Sequence, residues 1–178
     1  MPVNVESNVS LAACNTFGVD ARAARFARVQ RAEQLAELLA DPDLRSLPLL
    51  ILGGGGDVLF AGDFEGLVVG MEVGGVERLG EEGGRHLVRV GAGENWHATV
   101  ARLLDESLAG LENLALIPGS VGAAPIQNIG AYGLELAERF ESLEAYDTTS
   151  GERVVLVAEQ CRFGYRDSVF KQVPGRYV

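Results

Sequence analysis

The chain has 178 residues, enough for one fair-sized domain or two small ones with a core that stands without disulfides. Hydrophobic residues make up 47% and charged residues 22%, an ordinary globular balance. Fifteen basic against twenty-five acidic side chains leave a formal charge of −10, which argues against a nucleic-acid or anionic-membrane surface, though backbone N–H groups can still hold a small phosphorylated ligand.

The opening "MPVNVESNVSLAACNTFG" has neither a basic n-region nor a sustained apolar run, and no stretch reaches 18 apolar residues, so a cytoplasmic protein is expected. Cys14 and Cys161 lie far apart without CxxC or Cys/His spacing. Two buried thiols are the expectation, with a disulfide as the alternative. The spacing of Val29, Ala32, Leu35, Leu38 and Leu39 predicts a helix that Pro42 ends. "LPLLILGGGG" then reads as a short buried strand entering a glycine run, as in an α/β or α+β layer. "FEGLVVGMEVGGVERLG" and "RHLVRVGAGEN" predict two strands around the turn "GEEGG". A helix follows, with Trp96, Val100, Leu103, Leu104 and Leu108 on one face, Asn95 as its cap and Gly110 closing its end. Phe140, Leu143 and Ala145 alternate ahead of a Thr-Ser-Gly turn and a Val/Leu-rich partner, which signals a hairpin. Tyr177 and Val178 resemble the start of a further strand.

Four stretches could carry chemistry. In "LGGGGDVLF", residues 52–60, consecutive glycines let backbone N–H groups converge on one anion, or form a mobile turn; the spacing fits neither G-x-G-x-x-G nor the P-loop. "GAGENWH", residues 91–97, reads as a strand–helix connection, with Trp96 in the core and His97 at the surface or in a structural role. In "IPGSVGAAPIQNIGAYG", residues 117–133, Pro118 and Pro125 fix φ where a mobile loop would not need it, and Gln127 and Asn128 offer amides to a polar ring system. Two independent Gly-rich loops suggest a dinucleotide. Within "CRFGYRDS", residues 161–168, Tyr165-Arg166-Asp167-Ser168 is either a capped turn or a place where Arg166 binds a carboxylate or enolate oxygen.

Taken in order, "NTFGVDARA", "LILGGGGDVLF", "VGAGENWH", "GLENLALIPGSVGAAPIQNIGAYG" and "CRFGYRDSVFK" resemble the UDP-N-acetylenolpyruvoylglucosamine reductases, also called UDP-N-acetylmuramate dehydrogenases, flavoenzymes of peptidoglycan synthesis. The resemblance implies an α+β fold: the two-subdomain FAD-binding fold of the p-cresol methylhydroxylase / vanillyl-alcohol oxidase type, truncated before the substrate-binding domain. Its small α/β subdomain would take residues 1–70 and its larger α+β subdomain residues 71–178. By similarity, FAD would rest on Gly53, Gly54, Gly55, Gly56 and Asp57 from one side. Ile117, Pro118, Gly119, Ser120, Val121, Gly122 and Ala123 would hold it from the other, with Ile126 and Asn128 beside it. Arg166 would be the catalytic residue, stabilising an enol-type intermediate, and Tyr132, Tyr165 and Arg166 would face the UDP-sugar substrate. NADPH would be the hydride donor. The oligomeric state stays open, and no metal, nucleic acid or membrane is implied. Two departures stand out. The family's phosphate loop reads Gly-x-Gly-Ser-Asn where this chain has Gly55-Gly56-Asp57, and the family's proton-donating serine and glutamate partner have no counterpart motif in these residues.

Overall fold

A computed structural model describes residues 3–178; Met1 and Pro2, which open the first expected subdomain, lie outside the described residues. A four-stranded mixed sheet comes first: β1 (Val5–Ser10), β2 (Arg22–Val29), β3 (Leu49–Leu52) and β4 (Phe64–Met71), in the order β1-β2-β4-β3. β1 runs antiparallel to β2, while β2 and β3 both run parallel to β4. Central β4 is covered on both faces, which explains its unbroken Leu67-Val68-Val69 run. Leu67 and Val69 meet Ala27, Val29, Leu35, Leu38 and Leu39 beneath helix α1 (Ala32–Ala40). Val68 faces the other way, toward Leu11, Phe26, Leu52 and Phe60.

Val29 therefore ends a strand and does not begin the helix. Its apparent helical spacing arises because it shares a core cluster with the buried face of α1. Pro42 ends α1 as expected and opens a second short helix, α2 (Pro42–Arg45), whose first amides are capped by Asp41 Oδ1.

The segment expected as one strand from Phe64 onward is two. β4 stops at Met71, and the chain turns through Gly74 and Gly75 (φ +114°) into the hairpin β5 (Val76–Glu82) and β6 (Arg85–Val90). Helix α3 (Trp96–Asp105) starts at the expected cap, with Asn95 Oδ1 accepting from Ala98 N–H at 2.9 Å. Its end is earlier than expected. Ser107, at φ +61°, donates to Leu104, and Leu108 donates to Leu103, so a Schellman turn closes the helix before Gly110 and leaves Leu104 exposed.

A tight pair, β7 (Gly130–Ala131) and β8 (Leu134–Glu135), is followed by the expected hairpin β9 (Ser142–Asp147) and β10 (Glu152–Val157). Two short helices, α4 (Ala158–Cys161) and α5 (Val169–Gln172), lead to the last residues. Residues 176–178 pair antiparallel with β9, as Tyr177 and Val178 suggested. Trp96, Val100, Leu114, Ile129 and Leu136 form a third core, and Ala145, Leu156 and Cys161 a fourth, with Phe140 packed against both.

The 176–178 strand is pinned by charge. Arg176 donates through Nε (3.0 Å) and Nη2 (2.8 Å) to Oδ2 of buried Asp147, whose Oδ1 accepts from the Thr149 and Ser150 amides. The Arg176 hydrogen bonds, ahead of the backbone amides, hold the Asp147 carboxyl below the usual carboxylate range. A depressed carboxylate adds stability that is complete above its unfolded value of about 3.9 and is lost as pH falls through the folded value. The thermal midpoint of the wild type is therefore expected to fall more steeply below about pH 4 than that of Asp147→Asn. Parallel slopes in melts recorded from pH 6 to pH 3 would rule this ion pair out as a source of acid sensitivity.

Candidate functional site

The glycine run leaves the carboxyl end of β3, the edge at which parallel sheets bind ligands. Its path is fixed by neighbouring backbone. Gly55 lies at φ +66°, and a Cβ there would collide with the Cys14 carbonyl and stand 2.8 Å from Asn15 Cα. Thr16 N–H donates to the Gly55 carbonyl at 3.1 Å, and its hydroxyl reaches the Gly55 and Gly56 carbonyls at 3.3 and 3.4 Å. Buried Asn15 ties that turn to Leu11 and Val19. Asn15 and Thr16 were not singled out from the sequence. The available signal was the Asn-Thr-Phe-Gly turn composition at residues 15–18.

The second loop, Ile117–Ala123, is laid against residues 92–96. Trp96 N–H donates to Gly119 (3.0 Å), Val121 N–H to Glu94 (2.9 Å) and Gly122 N–H to Ala92 (2.9 Å). A Cβ on Gly122 would come within 2.7 Å of Ala92 Cβ. "GAGENWH" is thus the backing of the second loop and more than a connection. The two glycine loops also touch each other: a Cβ on Gly54 would lie 3.8 Å from Gly119 Cα, and one on Gly53 would press on the Ser120 hydroxyl. Ile117 and Val121 turn their side chains toward the Trp96 core, whereas Pro118, Ala123 and Ile126 are exposed.

This packing leaves donors free. Among the described residues no acceptor meets the N–H groups of Gly55, Gly56, Asp57, Gly119 or Ser120. Cβ atoms on Gly56 and Gly119 would meet nothing within 4 Å, so no neighbouring group stands over the side-chain side of those two positions. An anionic, phosphate-bearing group fits such a cradle. Asp57 is exposed, and among the described residues its carboxylate has no hydrogen-bond partner. Beside the first loop, a cleft of about 200 Å³ opens between Cys14, Phe26, Gly53, Gly54, Gly70 and Glu72. Glu72 pairs there with Arg28, whose guanidinium stands 5.1 Å from the Phe26 ring centre.

Arg166 lies at φ +53° at the tip of a tight turn closed by reciprocal bonds between Gly164 and Asp167. Its guanidinium donates through Nη2 to the Gly130 carbonyl at 3.1 Å, and Lys171 Nζ donates to its own carbonyl at 2.9 Å. Tyr165 shares the tip and is 86% exposed; Tyr132, in the β7–β8 turn at φ +50°, is 89% exposed. Asn128, by contrast, is 1% exposed and spends its whole amide inside the protein. Both cysteines are free. Cys161 is fully buried, and burial pushes its thiol up to about 11, while Cys14 is only half-buried and lines the cleft.

Two glycine-bearing loops that touch each other at a sheet edge, each with backbone N–H groups left without an acceptor among the described residues, mark a domain of the kind that binds phosphate-bearing ligands through its backbone. The chain belongs to the FAD binding domain family, whose model matches residues 23–156. It is 55% identical over 168 residues to a UDP-N-acetylenolpyruvoylglucosamine reductase of Ralstonia nicotianae, covering 92% of this chain and 49% of that protein. An Azoarcus protein of the same name is 49% identical over 181 residues, covering 99% of this chain and 52% of the relative. Among solved structures, the UDP-N-acetylenolpyruvylglucosamine reductase of Thermus caldophilus superposes with a TM-score of 0.71 at 28% identity, covering 93% of this chain and 57% of that one. The chain spans about half the length of the curated relatives it matches.

Leu116 stands at φ +63° just ahead of the second loop. It is 78% exposed, and its N–H donates to His97 Nδ1 at 3.3 Å, which gives His97 its structural task. Left-handed backbone costs a side-chain-bearing residue about 1–2 kcal/mol, against about 0.5–1 kcal/mol of extra chain entropy for glycine. Leu116→Gly is therefore expected to raise the thermal midpoint by roughly 2 °C. A lower midpoint would show that the leucine side chain contributes packing that its exposure does not suggest.

Proposed function

We propose that this chain is the FAD-binding part of a UDP-N-acetylenolpyruvoylglucosamine reductase, which uses NADPH to reduce the enolpyruvyl group of UDP-N-acetylglucosamine enolpyruvate, giving UDP-N-acetylmuramate for peptidoglycan. The observation that carries this reading is the meeting of the 53–57 and 117–123 loops with their amides free, in a chain of the FAD binding domain family.

In this reading the small subdomain is residues 1–70 and the larger one 71–178. The N–H groups of Gly55, Gly56 and Asp57 hold the pyrophosphate from one side, and those of Gly119 and Ser120 hold it from the other. Gly53, Gly54 and Gly122 act by close packing, and Ile117, Pro118, Val121 and Ala123 set the course of the second loop. Ile126 offers an apolar edge to the ring system, and Asn128 fixes the turn behind it. Bound FAD supplies two-electron hydride chemistry. Arg166 would stabilise the negative charge that gathers on the substrate carboxylate as the enol-type intermediate forms; its fork carries five donors, of which one is given to Gly130. Tyr132 and Tyr165 flank that position on the substrate side.

A cytoplasmic site of action is supported by the two unpaired thiols; among the described residues no helix is long and apolar enough to cross a membrane.

A flavin absorbance band that stays with the protein through gel filtration is the expected result of adding FAD, and a colourless protein would overturn the reading. Asp57→Asn is expected to tighten FAD binding roughly fivefold, because an exposed carboxylate near phosphate repels it through partial screening. An unchanged affinity in a fluorescence titration would mean that Asp57 points away from the phosphates. Cys14, at the cleft, should be alkylated more slowly once FAD is bound, while Cys161 stays unreactive in either state. Equal Cys14 labelling with and without FAD would move the cofactor out of that cleft.

A further inference from the structure

We propose that Asn128 is a positioning residue for Arg166, bracing the Arg166 turn against the cofactor-side loop through its side-chain amide. The proposal rests on the reading of Arg166 as the substrate-facing cation.

Asn128 adopts φ +42°, a left-handed conformation that asparagine tolerates better than most residues. Its Nδ2 donates both hydrogens, one to Glu135 Oε2 at 2.8 Å and one to the Gly164 carbonyl at 3.1 Å, and its Oδ1 accepts from the Ala137 amide at 3.0 Å. One planar group thus joins three separate segments. Gly164 is the base of the turn that carries Arg166, so the Nδ2 bond fixes where that turn begins. A second tie follows the same route: Ser168 Oγ, fully buried, donates to the Ile126 carbonyl at 2.6 Å. Between these two anchors the Arg166 guanidinium reaches back to the Gly130 carbonyl. All three bonds run from residues 164–168 to residues 126–130, the continuation of the second glycine loop.

The chemistry demands an amide. Only an amide supplies two donors and an acceptor in one plane. An aspartate at 128 would keep the acceptor for Ala137 but set a carboxylate against Glu135 and against the Gly164 carbonyl. Glu135→Gln on that background restores a donor toward residue 128, inverting the pair, yet nothing restores the bond to Gly164. The two roles of Asn128, holding the fold and holding the turn, thereby come apart.

The experiment compares wild type, Asn128→Asp and the Asn128→Asp/Glu135→Gln double variant by thermal melting and by trypsin digestion. Mass spectrometry identifies cleavage after Arg166, and the side-chain Nε–H NMR signal of Arg166, assigned by its loss in Arg166→Lys, reports the guanidinium directly. Asn128→Asp is expected to melt lower, and the double variant to recover most of that loss. Cleavage after Arg166 should remain about tenfold faster than wild type in both variants, the loss expected for one hydrogen bond, and the Arg166 Nε–H signal should stay displaced. A double variant whose cleavage rate and Arg166 signal return to wild type along with its melting point overturns the proposal, since Asn128 would then serve only the fold. None of these readouts needs flavin, so a wild-type chain that fails to bind FAD overturns the functional reading separately.

Discussion

The site depends on backbone meeting backbone with no side chain between. Gly55 passes under the Cys14 carbonyl, Gly122 lies on Ala92, and Gly54 approaches Gly119. The contacts at Gly55 and Gly122 leave no room for a Cβ, while Gly54 could carry one at ordinary van der Waals distance. What the loops gain is a shared surface with peptide N–H groups that have no acceptor among the described residues. Those groups carry the partial positive charge that an acidic chain lacks in its side chains. A net charge of −10 and a phosphate-bearing ligand are compatible because the cradle is built from amides, whose polarity does not depend on side-chain composition. Asp57, exposed at the end of the first loop, carries a charge of the opposite sign to those amides.

The glycines therefore do something different from what their clustering suggests. Read as a sequence, they offer a ligand close access to the chain. In the structure, the hard steric requirement at Gly55 and Gly122 comes from protein, while Gly56 and Gly119 face open space. Loop–loop packing comes first, and ligand access follows from the shape it produces. Thr16 and residues 92–96 belong to the site for the same reason: they hold the loops from behind.

Much of this was legible in the sequence, and the failures have local causes. Runs with one strong period were read well: α1, α3, β3 and the β9–β10 hairpin stand close to where their patterns put them. β1 and β2 went unseen. β1 is an edge strand with a largely exposed VESNVS sequence, and β2 is rich in alanine and arginine, with a register shift between Ala23 and Arg25 that interrupts alternation. β2 is a strand because β4 needs a partner and β1 because β2 needs one, a tertiary reason that no local window contains. In the site, the ordered motifs pointed to both glycine loops and to Arg166. Asn128 was read as an amide offered to a ring system, and the structure shows that amide fully engaged within the protein. A side chain's direction in a left-handed turn is set by φ, which residue type alone does not reveal.

Asn8 and Ser107 apart, the non-glycine residues at positive φ among the described residues stand by the second loop and the Arg166 turn. Leu116, Asn128, Tyr132 and Arg166 all hold positive φ without being glycine. Conformations of this kind cost about 1–3 kcal/mol each and persist only where the surroundings over-determine them. Each has its restraint on the backbone: Leu116 N–H on His97, Asn128 N–H on the Pro125 carbonyl, the Tyr132 carbonyl on Asn113, and the Arg166 carbonyl on Lys171. These are bonds within the protein, so the cost of holding the strained turns is met during folding. Pre-organisation of this kind strengthens binding by leaving little to be ordered at the moment of contact. The glycine loops themselves are held by non-glycine neighbours, Thr16 on Gly55 and Trp96 on Gly119, so bonds from around the loops restrain the freedom that glycine brings.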